Sequence, residues 1–542
     1  MKKDDESREE GLIRVIEGCE KEGVSRRDFM KEMAVGGLAL AAATTGTTAL
    51  FGARDVRAAA PKKGGRLRFA WSVHGPQDTL DPALNSTTLD YLRSRCYFNN
   101  LVQFQDDLSL KPELAEEWSL SANGREWTFK LRKGVEWHDG SKLNADDVVY
   151  SMMRHLGEKS VSRGKSLVNF VTQWEKIDAS TVKAILAYPN ADLPAILATY
   201  YFRIVKNNAE NIPGYFKQPV GTGPFKSVEF TPGVRALGVR NPNYFGGEVY
   251  LDEIETIAIT DPAARVNALI SGQVDMIGSV PPNAIPQINA KESVELWSVP
   301  SCSMPQVVMM QDREPGINPD FVAGMKLLAD RRRMINLIYK GFATIANDQP
   351  IGPAYGADYC EKLEQREIDL DKAKFHINKS GISQATVHVA DIHEGIAEVC
   401  MMIQMEAKKV GLNLEVKRVP TDGYWGSIWM KTPMFVTSIN MRPTANFVLS
   451  QTLSADAPWN CSIWKNERFN KLLVEARSVM DKKLRKEMYC EMESLVRDNA
   501  GLIIPVFTNF IDAKAKKVKN LTSVPLAPCG GMEWPAQVWL DT

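Results

Sequence analysis

An α/β fold is predicted, and three observations predict it. Beyond residue 60, runs with strand-like alternation follow runs with helical apolar spacing along the whole chain. The 542 residues are 44% hydrophobic and 24% charged, globular values with enough apolar material for sizeable cores. No internal repeat or low-complexity tract interrupts the pattern. The length corresponds to roughly three to four domain-sized units, or fewer large ones. Sixty-six basic and 66 acidic residues cancel, and no long basic block occurs, so nucleic-acid binding has no electrostatic footprint. A mean hydropathy of −0.24 excludes a multi-span membrane protein.

The elements follow in order. Residues 25–31 (SRRDFMK) place two adjacent arginines before a weakly apolar stretch, 33–52, rich in Gly and Thr. This resembles a twin-arginine leader, so the twin-arginine translocase is an expected partner during export. Val56 and Ala58 fit a small-residue cleavage site, and cleavage is expected after Ala58, with a membrane anchor as the competing reading. Residues 1–60 are therefore set aside as a signal segment. Of eight cysteines, Cys19 leaves with it, and the odd remainder is expected to hold buried free thiols plus one or two bridges.

A turn and then a strand are expected at 64–69, and a helix at 91–102. Residues 127–132 alternate strictly, putting Trp127, Phe129 and Leu131 on one face. Asn144 is placed to cap a helix whose first turn carries Asp146 and Asp147. A helix over 261–270 ends at Gly272, and a basic helix is expected over 321–339. A strand at 386–389, a helix at 395–410 stopped by Gly411, and a strand at 412–419 follow. The last elements are a mostly helical run at 470–499 and a strand at 502–507.

Several blocks occur together in a fixed order: 112–118 (PELAEEW), 127–140 (WTFKLRKGVEWHDG), 144–148 (NADDV), 220–225 (VGTGPF), 241–244 (NPNY), 265–275 (RVNALISGQVD), 460–464 (NCSIW) and 469–473 (FNKLL). This ordered set resembles the extracellular solute-binding proteins of family 5, the dipeptide, oligopeptide and nickel binders that serve ABC importers. The resemblance covers nearly all of the chain after the leader. It implies a two-lobed periplasmic-binding-protein-like (type II) clamp. The first lobe would be discontinuous, 61–295 plus 506–542, with an inserted subdomain at 106–204, and the second lobe would be 296–505. It implies no catalysis, a periplasmic location, a small-molecule or peptide ligand, and the permease subunits of an ABC importer as partners.

The family's ligand-specific segment falls at 437–448 (TSINMRPTANFV). Peptide-binding members carry Trp-x-x-Asp there, and the Asp pairs with the peptide amine. By that alignment Thr437 stands for the Trp, Asn440 for the Asp, and Pro443 and Thr444 for a following Asp-Pro. Asn offers only a neutral acceptor, so recognition led by an amine is in doubt. Arg442 has no expected family counterpart, and its planar fork suits a carboxylate. Asn440 and Arg442 are therefore candidates to read a carboxylate, amide or other oxygen-rich ligand; an interlobe or surface ion pair is the alternative for Arg442. Trp425 and Trp459 are candidate cleft walls in the second lobe, with packing as the alternative, and Trp464 matches a family core position. Trp71 and Tyr97 are candidates for the facing wall. Residues 347–350 (NDQP) form a polar turn that either lines the cleft or needs no function.

The sequence holds no GxSxG, GxGxxG, P-loop or HExxH pattern, and no cofactor or metal is expected. His388 and His393 share no helix face, and His138 is expected to be structural. Two other readings compete with importer-linked capture: a periplasmic sensor or chaperone on the same fold, and a cofactor-loaded enzyme.

Overall fold

A computed structural model describes residues 60–72 and 75–542. The expected leader up to residue 59, which includes Cys19 and the cleavage expected after Ala58, lies outside the described residues, as does His74.

Strand Arg66–Trp71 alternates so that Leu67 and Phe69 enter one core and Ala70 another. It runs parallel to Glu253–Ala258 and to Met276–Ile277. Arg235–Arg240 and Phe225–Thr231 extend the sheet antiparallel on one side. On the other side Met276–Ile277 pairs with the long strand Val506–Ala515. This mixed sheet, with the core around Phe69, Ile254, Met276 and Trp534, is the first lobe.

Two long strands carry the chain between lobes. The first half of Val294–Met309 pairs with Val506–Ala515, from Val294 opposite Ala515 to Val299 opposite Phe510. The register then slips, and Ser303 faces Thr508. Four residues of advance on one strand against two on the other make a bulge, which bends a strand and sharpens its twist. Pro300 lies inside it and has no N–H to give the ladder. Past the bulge, Met304 to Met309 pair with Met434–Ile439, and the second lobe begins.

In that lobe Gln384–Val389 runs parallel to both Asn413–Arg418 and Met434–Ile439. Period-two alternation divides its strands between two cores. Val307, Met309, Met434 and Val436 face one, with Ile403 of helix Ile396–Lys409. Met304, Val308, Phe435 and Ile439 face the other, with Leu472 and Tyr489. A separate four-stranded antiparallel sheet is built from Ala115–Leu120, Glu126–Leu131, Thr181–Leu186 and Val171–Asp178 in that spatial order. Trp127, Phe129 and Leu131 bury their shared face there against Val148 and Trp174.

Asn144 caps helix Ala145–Met153 as expected, its side chain accepting from the Asp146 amide at 2.8 Å while the Asp147 carboxylate accepts from the Asn144 amide at 2.9 Å. Other expectations need correction. The helix expected over 321–339 is two helices, Pro319–Leu327 and Arg331–Leu337, because Asp330 turns its side chain onto the Arg333 amide and caps a new start. The run 470–499 is mostly helical as expected, in two helices, Glu467–Ala476 and Lys482–Asn499, with Asp481 capping the second. The helix expected to reach Val102 stops at Tyr97, and Val102–Phe104 is a strand. Pro505 splits the strand expected at 502–507 into Leu502–Ile503 and the start of Val506–Ala515. One disulfide joins Cys360 to Cys490, and Cys96, Cys302, Cys400, Cys461 and Cys529 are buried free thiols, in line with the thiol-rich reading.

Candidate functional site

Where the two long strands cross between lobes lies a cavity of about 520 Å³. Trp71, Tyr91 and Tyr200 face it from the first lobe, and Ser303, His393, Asn440 and Arg442 from the second. Thr508 to Asp512 form its floor. Trp71 is buried and positioned by Gly278: a Cβ there would stand 1.5 Å from the indole ring, so only glycine lets the backbone pass against it. Tyr91 stacks on Tyr200 with ring centroids 3.7 Å apart, and Tyr201 leans on Tyr200 at 4.5 Å.

Asn440 and Arg442 follow strand Met434–Ile439, so the cavity wall continues a core strand. The Asn440 Oδ1 accepts from Ser303 Oγ at 3.1 Å. The Arg442 Nε donates to Gln451 Oε1 at 2.6 Å, and Nη1 reaches the Asn440 carbonyl at 3.3 Å. The guanidinium lies over the Trp459 ring, 5.5 Å from its centroid. Its amide donates to Tyr355 Oη at 3.1 Å. Burial draws the pKa of Arg442 below the usual arginine range, and the neighbouring tyrosine oxygens of Tyr200, Tyr355 and Tyr201 oppose that. Among the described residues no carboxylate pairs with it. Of five guanidinium N–H groups two are used, leaving the rest of the fork open.

The other candidates fall differently. Trp459 stands against Arg442, 37% exposed. Trp425 is 54% exposed, lies edge-on to Tyr424 and Trp429, and is not on the cavity wall. Tyr97 is not on the wall either. It is buried in the first-lobe core, and its backbone is clasped by the glycines of the VGTGPF block. A Cβ at Gly221 would come within 1.7 Å of the Tyr97 carbonyl, which gives that block a packing role. Burial also accounts for residues 347–350, whose Asp348 is held by Arg331 and Arg366. His138 contacts both glycines, its Nδ1 accepting from the Gly221 amide and Nε2 meeting the Gly223 carbonyl, and burial pushes its pKa down to about 4. Trp464 is core.

Sequence reasoning missed Tyr91, Tyr200, Tyr201 and His393. Adjacent Tyr200 and Tyr201, outside any regular element, were the available signal. It also missed a cross-lobe contact beyond the cavity. Asp192 of the inserted subdomain accepts from Arg485 Nη2 at 2.6 Å and Thr444 Oγ1 at 2.7 Å, and the Ala191 amide donates to the Arg477 carbonyl at 2.8 Å.

A mixed sheet in each lobe, two crossing strands and an aromatic cavity with one open cationic fork define a binding clamp. The family model for bacterial extracellular solute-binding proteins, family 5, matches residues 109–460. The chain belongs to that family. It is 23% identical over 502 residues to the dipeptide-binding protein of Escherichia coli strain K12, covering 84% of this chain and 92% of that protein. It is 24% identical over 457 residues to heme-binding protein A of Haemophilus influenzae, covering 76% and 81%. The solved structure of HbpA2 from Haemophilus parasuis superposes with a TM-score of 0.79 at 21% identity, covering 88% of this chain and all (100%) of that one.

Proposed function

We propose that this chain is the capture component of an ABC importer, and that it holds its cargo by an anionic group placed on Arg442 and Asn440. The observation that carries the second part is the open Arg442 fork facing the interlobe cavity with no carboxylate partner among the described residues. An arginine drawn out of water gains most from a bidentate carboxylate or phosphate. The cargo is a small solute or a peptide presenting such a group. The first lobe, 61–295 with 506–542 and the inserted 106–204, closes on the second, 296–505, about the two long strands. A ligand bridging Trp71 and Arg442 favours closure because it touches both walls only when they approach. The protein is exported by the twin-arginine translocase, loses its leader after Ala58, and works in the periplasm with a membrane permease.

Native mass spectrometry of the purified protein, followed by denaturation and identification of the released molecule, tests this. A released compound with a carboxylate or other anion is the expected result, and Arg442→Ala should release it. A cargo whose only charge is an ammonium would defeat the Arg442 assignment while leaving the capture role intact.

A further inference from the structure

A second chamber of about 280 Å³ adjoins the interlobe cavity at Arg442. Tyr200, Met441, Arg442, Leu526 and Ala527 line both spaces, so the two adjoin and Arg442 borders each of them. The second wall is mainly apolar: Phe104, Leu167, Phe447, Trp459 and Val524. Its carboxylate, Glu533, is already engaged by Arg95 at 2.9 Å, Arg203 at 3.6 Å and the Gln103 amide at 2.9 Å. An incoming ammonium therefore finds no free acid there. Gln451 belongs to this wall and fixes the Arg442 fork by its Nε, so the chamber and the anion position have a set relation.

An anion position bordering an apolar chamber selects a molecule with both features. We infer that the cargo is an amphipathic acid, with its carboxylate on Arg442 and an aromatic or branched aliphatic body in the second chamber. This rests on the anion reading of Arg442 given above and adds the apolar half. Moving a ring from water into such a chamber strengthens binding on the order of 10- to 100-fold.

Calorimetric titration of the protein, freed of cargo by denaturation and refolding, would use three probes: N-acetylphenylalanine, N-acetylalanine and N-acetylphenylalanine amide. The first two share the carboxylate and differ in the body; the third keeps the ring and lacks the anion. N-acetylphenylalanine should bind about 10- to 100-fold tighter than N-acetylalanine. Leu167→Trp, which fills the chamber, should erase that ratio by weakening N-acetylphenylalanine. Phe447→Ala, which removes a wall instead of adding bulk, should also reduce the ratio and covers the case in which Leu167→Trp does not fold. Equal affinity for the two acids, or a ratio that survives both variants, overturns the chamber assignment and leaves Arg442 standing. The amide binding as well as its acid overturns the anion reading itself, and so does failure of both acids to bind.

Discussion

Arg331 and Arg442 are two arginines of the same lobe under opposite conditions. Arg331 is fully buried, and its Nη2 lies 2.7 Å from each Asp348 oxygen. Its Nη1 donates to the carbonyls of Ala329 and Arg366. Asp348 in turn accepts from Arg366 at 2.9 Å and from the Ile504 amide at 3.1 Å. Arg442 has an amide, a carbonyl and an aromatic face, and among the described residues no acid. A buried charge bridged to a carboxylate, as at Arg331, holds helices and strands together, whereas Arg442 reaches the cavity wall without one. The difference separates a cation with a carboxylate partner from one without, which sequence patterning alone does not do.

The largest effect should come from the paired site. Arg331→Ala leaves Asp348 buried with Arg366 as its remaining cation, and unfolding should be easier by about 3–5 kcal/mol. Chemical denaturation reads this, and a loss below about 1 kcal/mol would mean that Arg366 and backbone amides suffice. Arg442→Ala should do the reverse. Affinity for an acidic cargo should fall roughly 10- to 100-fold, about 1.5–3 kcal/mol, with no loss of stability in the ligand-free protein. A fall in melting temperature like that of Arg331→Ala would place Arg442 among the structural cations.

Asp192 tests an intermediate case, a pair that crosses between subdomain and second lobe. Asp192→Ala frees Arg485 and Thr444, and should shift the ligand-free protein toward a more extended form in small-angle scattering. Unchanged scattering would show that the contact does not help set the lobe equilibrium.

The smallest effect concerns an acid with no cation. Asp512 is fully buried on the cavity floor, held by the Ser279 amide at 3.0 Å and the Cys529 amide at 2.6 Å, and burial raises its pKa to about 6. A carboxyl with a raised folded-state pKa binds its proton more tightly in the native state. Between its ordinary value of 3.8 and about 6 the native state therefore holds the extra proton, and stability falls as pH rises through that window. Asp358, raised to about 6 by burial, adds to the same slope. Asp512→Asn should flatten the slope in part, and denaturation curves at several pH values check it. An unchanged slope would assign it to Asp358 and other groups.

Much of this was legible in the chain. The alternation of 127–132 and the Asn144 cap are local or periodic signals that the folded chain uses locally, whereas the VGTGPF glycines pack against Tyr97, far away in the chain. Asn440 and Arg442 were readable because they interrupt a family pattern at one place. Tyr97 and Trp425 misled because an aromatic residue carries the same letter whether it lines a cleft, fills a core or stands on the surface. The broken helix at Asp330 misled for a related reason: apolar spacing ran on while a short polar side chain captured the backbone.

By itself, then, the sequence determined the α/β class and most elements, and it singled out Asn440 and Arg442, both of which lie on the cavity wall. These depend on neighbours a few residues apart or on ordered blocks. Tertiary structure alone decided that Tyr91, Tyr200 and Trp71 share a cavity with Arg442, and that Glu533 is engaged while Arg442 is not. Whether a charge has a partner depends on residues far away in the chain, Glu533 meeting Arg95 and Arg203 from over 300 positions away, and on two strands that bring separate lobes to one cleft.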